Sequence, residues 1–241
     1  DVVNLISFNA PLFGYLNLSL TNFSLYSILV FILVIGMHLL FRSSNFIGTN
    51  LDTKLIPSSW NIALESSYAS INSIVREQIG LRNEIYLPFI YSLFFFIIIS
   101  NLIGNIPYSF TITTSIILSV GLGFTIFIGV TIIALFKHGL HFFSFFIPGG
   151  TPLGLVPLLV LIEVISYLAR SLSLGVRLFA NMMSGHTLLK ILSTFLYQLF
   201  TSSILVAIFT LIPFAIFTAL VGLEVAVSII QAYVFILLTS S

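Results

Sequence analysis

The sequence predicts an all-α, polytopic membrane protein with five membrane-crossing segments, two of them long and steeply tilted, plus one interfacial amphipathic helix. Three observations carry this. Hydrophobic residues make up 59% of the 241-residue chain and charged residues 6%, at a mean hydropathy of +1.19. Soluble domains carry about a quarter charged residues. Nine of the fifteen charges fall in residues 1–84, leaving six for the other 157 positions. Apolar runs also recur at lengths that match or exceed the hydrocarbon core of a bilayer. The net charge of +1 argues against nucleic acid as a partner. With no cysteine there is no disulfide frame and no thiolate metal site. The chain begins with Asp1, as removal of a leader would leave it, and shows no signal-peptide pattern. The whole chain, 1–241, reads as a single membrane domain.

Residues 1–23 are polar and turn-rich, with Pro11 and Gly14, and carry no Lys or Arg. Residues 25–41 form the first span, closed by Arg42. Four basic residues follow in 42–84, against none before, so the positive-inside rule puts the N-terminus outside. Residues 56–79 read as the interfacial helix, opening at Ile56-Pro57-Ser58-Ser59. Leu64, Ile71, Ile74 and Val75 share one face, opposite Glu65, Asn72 and Arg76. This face suits either a membrane surface or a partner on the soluble side.

Residues 86–106 and 110–136 form the next spans. Gly121-x-Gly123 has no preceding strand, so it reads as close helix packing and not as a nucleotide fingerprint. His138 and His141 have no third ligand nearby, and the stretch up to Pro148-Gly149-Gly150 reads as an interfacial loop. No cofactor or metal is expected. Residues 151–192 would be about 63 Å long as one helix, against a core of about 30 Å. They and 195–238, with a kink allowed at Pro213, read as two long tilted helices. Four ordinary spans are the alternative.

Arg177 lies in Ser-Leu-Ser-Leu-Gly-Val-Arg-Leu-Phe-Ala-Asn-Met-Met-Ser-Gly-His, residues 171–186, with no other basic residue within six positions. A charge at membrane depth is costly and marks an ion pathway or a partner. Arginine does not release its proton at accessible pH, so it blocks protons and does not carry them. On a helix, Glu163, Arg170, Arg177 and Ser184 are spaced by seven, drifting only about 20° per step. Ser166, Ser173 and Asn181 flank that line. His186 lies nine residues past Arg177, about 180° around and about 13 Å along the axis. Glu224, Ser228 and Gln231 form a second stripe at i, i+4, i+7. Such groups can simply hold helices together. Two carboxylates and an imidazole at membrane depth, however, are what a proton relay requires. Arg170 could be a counter-charge to Glu163 or to a lipid head group.

The block 171–186 closely resembles the arginine helix of the subunit a (subunit 6) family of F-type ATP synthases. Asn101-Leu102-Ile103-Gly104-Asn105-Ile106-Pro107, His138-Gly139-Leu140-His141-Phe142-Phe143-Ser144 and Gln231-Ala232-Tyr233-Val234 resemble further blocks of that family, in the same order. The resemblance implies a non-catalytic stator in the lipid bilayer, beside other Fo subunits, guiding protons to and from a ring of c subunits. Arg177 matches the essential arginine that separates two half-channels. His186 and Glu224 match the pair lining the outer half-channel, and Glu163 the acidic residue of the inner one. Asn181, Gln231, Ser228 and Arg170 join these as candidate proton-translocation residues. His on the fifth helix and Glu on the sixth, exchanged relative to bacterial members, implies the mitochondrial inner membrane, with a bacterial plasma membrane as the alternative. Many mitochondrial members extend past the Gln-Ala-Tyr-Val block into a polar tail with another acidic residue, whereas this sequence stops at Thr239-Ser240-Ser241. A secondary transporter is the rival function, but no internal repeat supports it. A purely structural subunit of a respiratory complex is another.

Overall fold

The computed structural model describes residues 3–10, 16–44, 59–106, 109–139, 146, 155–202 and 210–240. Among the described residues, two short strands, β1 (Asn4–Ala10) and β2 (Leu16–Thr21), precede six α-helices. These are α1 (Asn22–Ser44), α2 (Ser59–Gln78), α3 (Leu87–Gly104), α4 (Ile116–His138), α5 (Val156–Ser202) and α6 (Leu211–Ser240). Five of them, all but α2, are long and apolar enough to cross a membrane. Helices suit that solvent because every backbone N–H and C=O finds its partner within the segment.

Residues 1–23, read from the sequence as polar and turn-rich, contain an antiparallel hairpin that an all-α reading did not include. Ile6 pairs with Leu20 and Phe8 with Leu18, and a bulge interrupts the register near Asn4. In β2, Leu16, Leu18 and Leu20 alternate with Asn17, Ser19 and Thr21, the period of two that a strand requires. The hairpin runs straight into α1 through a reciprocal cap. Thr21 Oγ1 accepts from the Ser24 N–H at 3.3 Å, while Ser24 Oγ accepts from the Thr21 N–H at 3.1 Å. Both atoms satisfy donors that a helix start leaves without an internal partner.

The chain divides into two compact units, one of Asp1–Ile112 with Leu192–Ser241, the other of Thr113–Ile191. In the first, Ile71, Ile74 and Val75 of α2 bury against Leu87 and Ile90 of α3 and Ile236 of α6. The apolar face of α2 therefore packs on its own chain along its second half. Its first half leaves Trp60 68% exposed, the amphipathic tip that suits a membrane interface. Pro88 sits in the first turn of α3, where its missing N–H removes no helical hydrogen bond. His38 of α1 donates from Nδ1 to the Val34 carbonyl at 2.8 Å and accepts at Nε2 from the Tyr91 hydroxyl at 3.2 Å. This ties α1 to α3.

In the second unit, α4 and α5 run antiparallel along a seam of three rungs. Tyr167 meets Thr131 through a 3.0 Å hydrogen bond and packs on Phe127, with ring centroids 4.8 Å apart. Ser171 Oγ donates to the Gly123 carbonyl at 3.1 Å. Gly175 lies against the backbone of Ser119 and Val120. Of the Gly121-x-Gly123 pair, only Gly123 makes the expected close approach, and Gly121 faces open space.

Helix α5 is unbroken for 47 residues, about 70 Å. The alternative of four ordinary spans does not occur. The expected boundary near 193 moves to Ser202. Thr201 donates to Tyr197 O at 3.1 Å. Pro213 does not kink a longer helix but sits in the first turn of α6. Residues 56–58, His141 and the 147–150 stretch lie outside the described residues.

Replacing Ile71 by Ala removes fully buried methylenes and is expected to cost about 2–5 kcal/mol. Ile62→Ala, on the exposed half of α2, should leave the thermal unfolding midpoint of the solubilised protein unchanged. Equal midpoints for the two variants would contradict the packing described here.

Candidate functional site

Two polar arrangements stand out in the apolar helices, and they differ in kind. The first is on α5. Because that helix continues through Gly175 without a break, the seven-residue spacing keeps Glu163, Arg170, Arg177 and Ser184 on one side. All four are exposed, as are Ser166 and Ser173. The α4-facing residues Tyr167, Ser171 and Gly175 centre about 110° around the axis from that stripe. The seam thus leaves the charged stripe turned away from α4. Asn181 and His186 are half-buried. Leu174, Leu178 and Met182 are buried, so the helix carries adjoining apolar and polar faces.

The second arrangement is buried, between α3 and α6. Glu224 is 8% exposed and Ser228, one turn on, is 0% exposed. Asn101 Nδ2 donates to the Ser228 carbonyl and Asn105 Nδ2 to the Ser228 hydroxyl, both at 3.3 Å. The Ser228 hydroxyl itself donates to Val225 O at 2.7 Å. Ser100 is 1% and Asn101 0% exposed. Asn101 Oδ1, Asn105 Oδ1 and Ser100 Oγ reach no donor or acceptor of the protein among the described residues. Each such buried polar atom costs about 1–3 kcal/mol unless solvated. Asn101 and Asn105 therefore meet Ser228 between two apolar helices, with the buried Glu224 carboxylate one turn from Ser228 on α6. Gln231 is half-buried on the same helix, about two turns past Glu224.

Ionisable side chains inside spans are costly and commonly mark a pathway or a partner. No group of three or more His, Cys, Asp or Glu gathers as a metal site among the described residues. His138 ends α4. Glu224 and His186 belong to different units.

The sequence model described as ATP synthase A chain matches residues 24–241, which include both arrangements. The chain belongs to the ATP synthase A chain family. ATP synthase subunit a of Mycosarcoma maydis is 61% identical over 241 residues, covering 100% of this chain and 92% of that protein. The protein of the same name from Emericella nidulans is 48% identical, over 100% of this chain and 91% of the relative. That from Kluyveromyces lactis is 49% identical, over 98% and 90%.

Sequence reasoning missed the α3 side of this buried polar arrangement. Asn101 and Asn105 were read only as part of a resembling block, not as site residues. Their i, i+4 spacing inside an apolar run was the available signal. Their partner, Ser228, lies 127 positions from Asn101, which no local pattern reveals.

Asn101→Leu should change the unfolding free energy only slightly, since an interhelical hydrogen bond in a membrane contributes about 0.6 kcal/mol on average. Ser100→Leu adds volume where none is free and should cost about 1–3 kcal/mol. Thermal unfolding of the two variants in one detergent should rank them in that order.

Proposed function

We propose that the chain is the proton-translocating stator subunit of the Fo sector of an F-type ATP synthase. It forms two half-channels against a ring of carboxylate-bearing c subunits, alongside other Fo subunits. The observation that carries this is the exposed Glu163–Arg170–Arg177–Ser184 stripe on an unbroken 47-residue helix, in a chain matching the family from residue 24 onward. A helix of about 70 Å in a core of about 30 Å lies at a steep tilt. Tilt presents its stripe along a moving ring face and not at one point.

Protons enter from outside past His186 and Glu224, through the buried oxygens of Asn101, Asn105 and Ser228, and neutralise a ring carboxylate. The ring turns, and a carboxylate arriving from the other side loses its proton toward Glu163. Arg177 stands between the two routes. A free proton meets a fixed positive charge there and is repelled. A deprotonated carboxylate passes, because it is briefly paired. Each proton supplies about 2.3 kcal/mol per 100 mV of potential. Asn181, Arg170 and Gln231 line the approaches. The chain makes no ATP itself. The N-terminus lies outside and residues 42–84 inside, on the distribution of basic residues. The His186 and Glu224 placement and the fungal relatives support the mitochondrial inner membrane.

Arg177→Ala should abolish ATP-driven proton pumping while the complex still assembles, and coupled pumping at the normal rate would overturn the role. Lys should substitute poorly, since it loses the planar fork and deprotonates when buried. Glu224→Gln should slow proton entry without opening a leak, and His186→Ala should do so more mildly. Passive conductance measured beside synthesis separates entry from sealing: a large uncoupled leak in either variant would move these residues to the seal.

A further inference from the structure

We propose that Gly175 is a positioning residue for Arg177: the close backbone approach of α4 at Ser119 and Val120 sets how far the arginine stripe projects from the helix pair. The inference rests on the role given to Arg177 above.

A Cβ built at Gly175 would lie 2.6 Å from Ser119 O, 2.7 Å from Val120 Cα and 3.1 Å from Ser119 C. All three are backbone atoms, so no side-chain rotation relieves the clash. Ordinary contact begins near 3.4 Å, and α5 would have to move from α4 by about 0.8 Å to reach it. One turn earlier the approach is nearly as close. A Cβ at Gly123 would lie 3.0 Å from Ser171 O and 3.3 Å from Gly175 N. There the Ser171 hydroxyl donates to the Gly123 carbonyl at 3.1 Å, within the buried part of the seam. The two helices are therefore locked at 171 and 175 both by shape and by a hydrogen bond.

Arg177 follows Gly175 by two residues, about 3 Å along the axis and about 160° around it. It lies on the far side of α5 from the contact. Bulk at 175 thus pushes the helix away from α4 and carries Arg177 with it. A charge that must pair briefly with one carboxylate after another, and seal between pairings, depends on that distance. Misplacement by about 1 Å costs as much as a hundredfold where geometry governs a rate. The sequence requires glycine here for packing, since the backbone of Gly175 is ordinary helix.

The test uses the assembled ATP synthase complex in vesicles, with pumping normalised per assembled complex. The variants are Gly175→Ala, Gly123→Ala and Gly121→Ala. A Cβ at Gly121 meets nothing within 4 Å, which makes it the matched control. The chain has no cysteine, so spin labels at Ile128→Cys and Leu172→Cys report the α4–α5 distance by pulsed EPR. The expected result is a graded series. Gly175→Ala increases the distance most and lowers coupled pumping by about tenfold or more, Gly123→Ala does both less, and Gly121→Ala does neither. If Gly175→Ala fails to assemble, the Gly123→Ala and Gly121→Ala pair carries the comparison. An unchanged distance in the clashing variants, or normal pumping despite an increased distance, overturns the proposal. Normal pumping by Arg177→Ala would instead overturn the role of the arginine, and the distance series would still be read independently.

Discussion

Hydrocarbon offers no partner to a polar group, and this one constraint shapes the whole chain. It forces the backbone into helices long enough to satisfy themselves. It also drives most helical serines and threonines to find an acceptor nearby. Ser27, Ser92, Thr125, Thr131 and Thr187 all donate to a carbonyl three or four residues back in their own helix. These residues disturb the apolar pattern without breaking a helix. The side chains that escape this local solution are the informative ones.

They escape in two ways. Asn101 and Asn105 turn inward and reach across from α3 to Ser228 of α6, and Glu224 is buried one turn from Ser228. Asn101 Oδ1 and Asn105 Oδ1 find no protein partner among the described residues. Glu163, Arg170 and Arg177 turn outward on α5 and are exposed in the chain alone. An exposed arginine on an apolar helix is stable in a bilayer only against a partner or an aqueous cleft.

The seam between α4 and α5 links packing to function. Small residues let the two backbones approach where lipid supplies no hydrophobic drive for association. Tyr167, Ser171 and Gly175, at four-residue intervals, use one side of α5 for this contact. That leaves the side bearing Arg177 uncommitted. A helix with a single apolar environment all round would rotate freely about its axis. The rungs fix its rotation, and so fix where the charge points.

The sequence by itself determined the class, the five long apolar helices and the stripe on α5. Composition reports burial in lipid directly, and a seven-residue spacing on a 3.6-residue helix needs no tertiary information. Arg177, isolated among apolar residues, was legible for the same reason. The N-terminal hairpin was missed, although Leu16, Leu18 and Leu20 alternate, because polar turn residues surround so short a pattern. The end of α5 was placed near 192, whereas the helix runs on to Ser202. Only the tertiary structure decided which glycine matters, Gly123 and Gly175 and not Gly121, and that Asn101 and Asn105 share a site with Ser228 beside Glu224. Those facts depend on which helix faces which, and that is set by contacts between residues far apart in the chain.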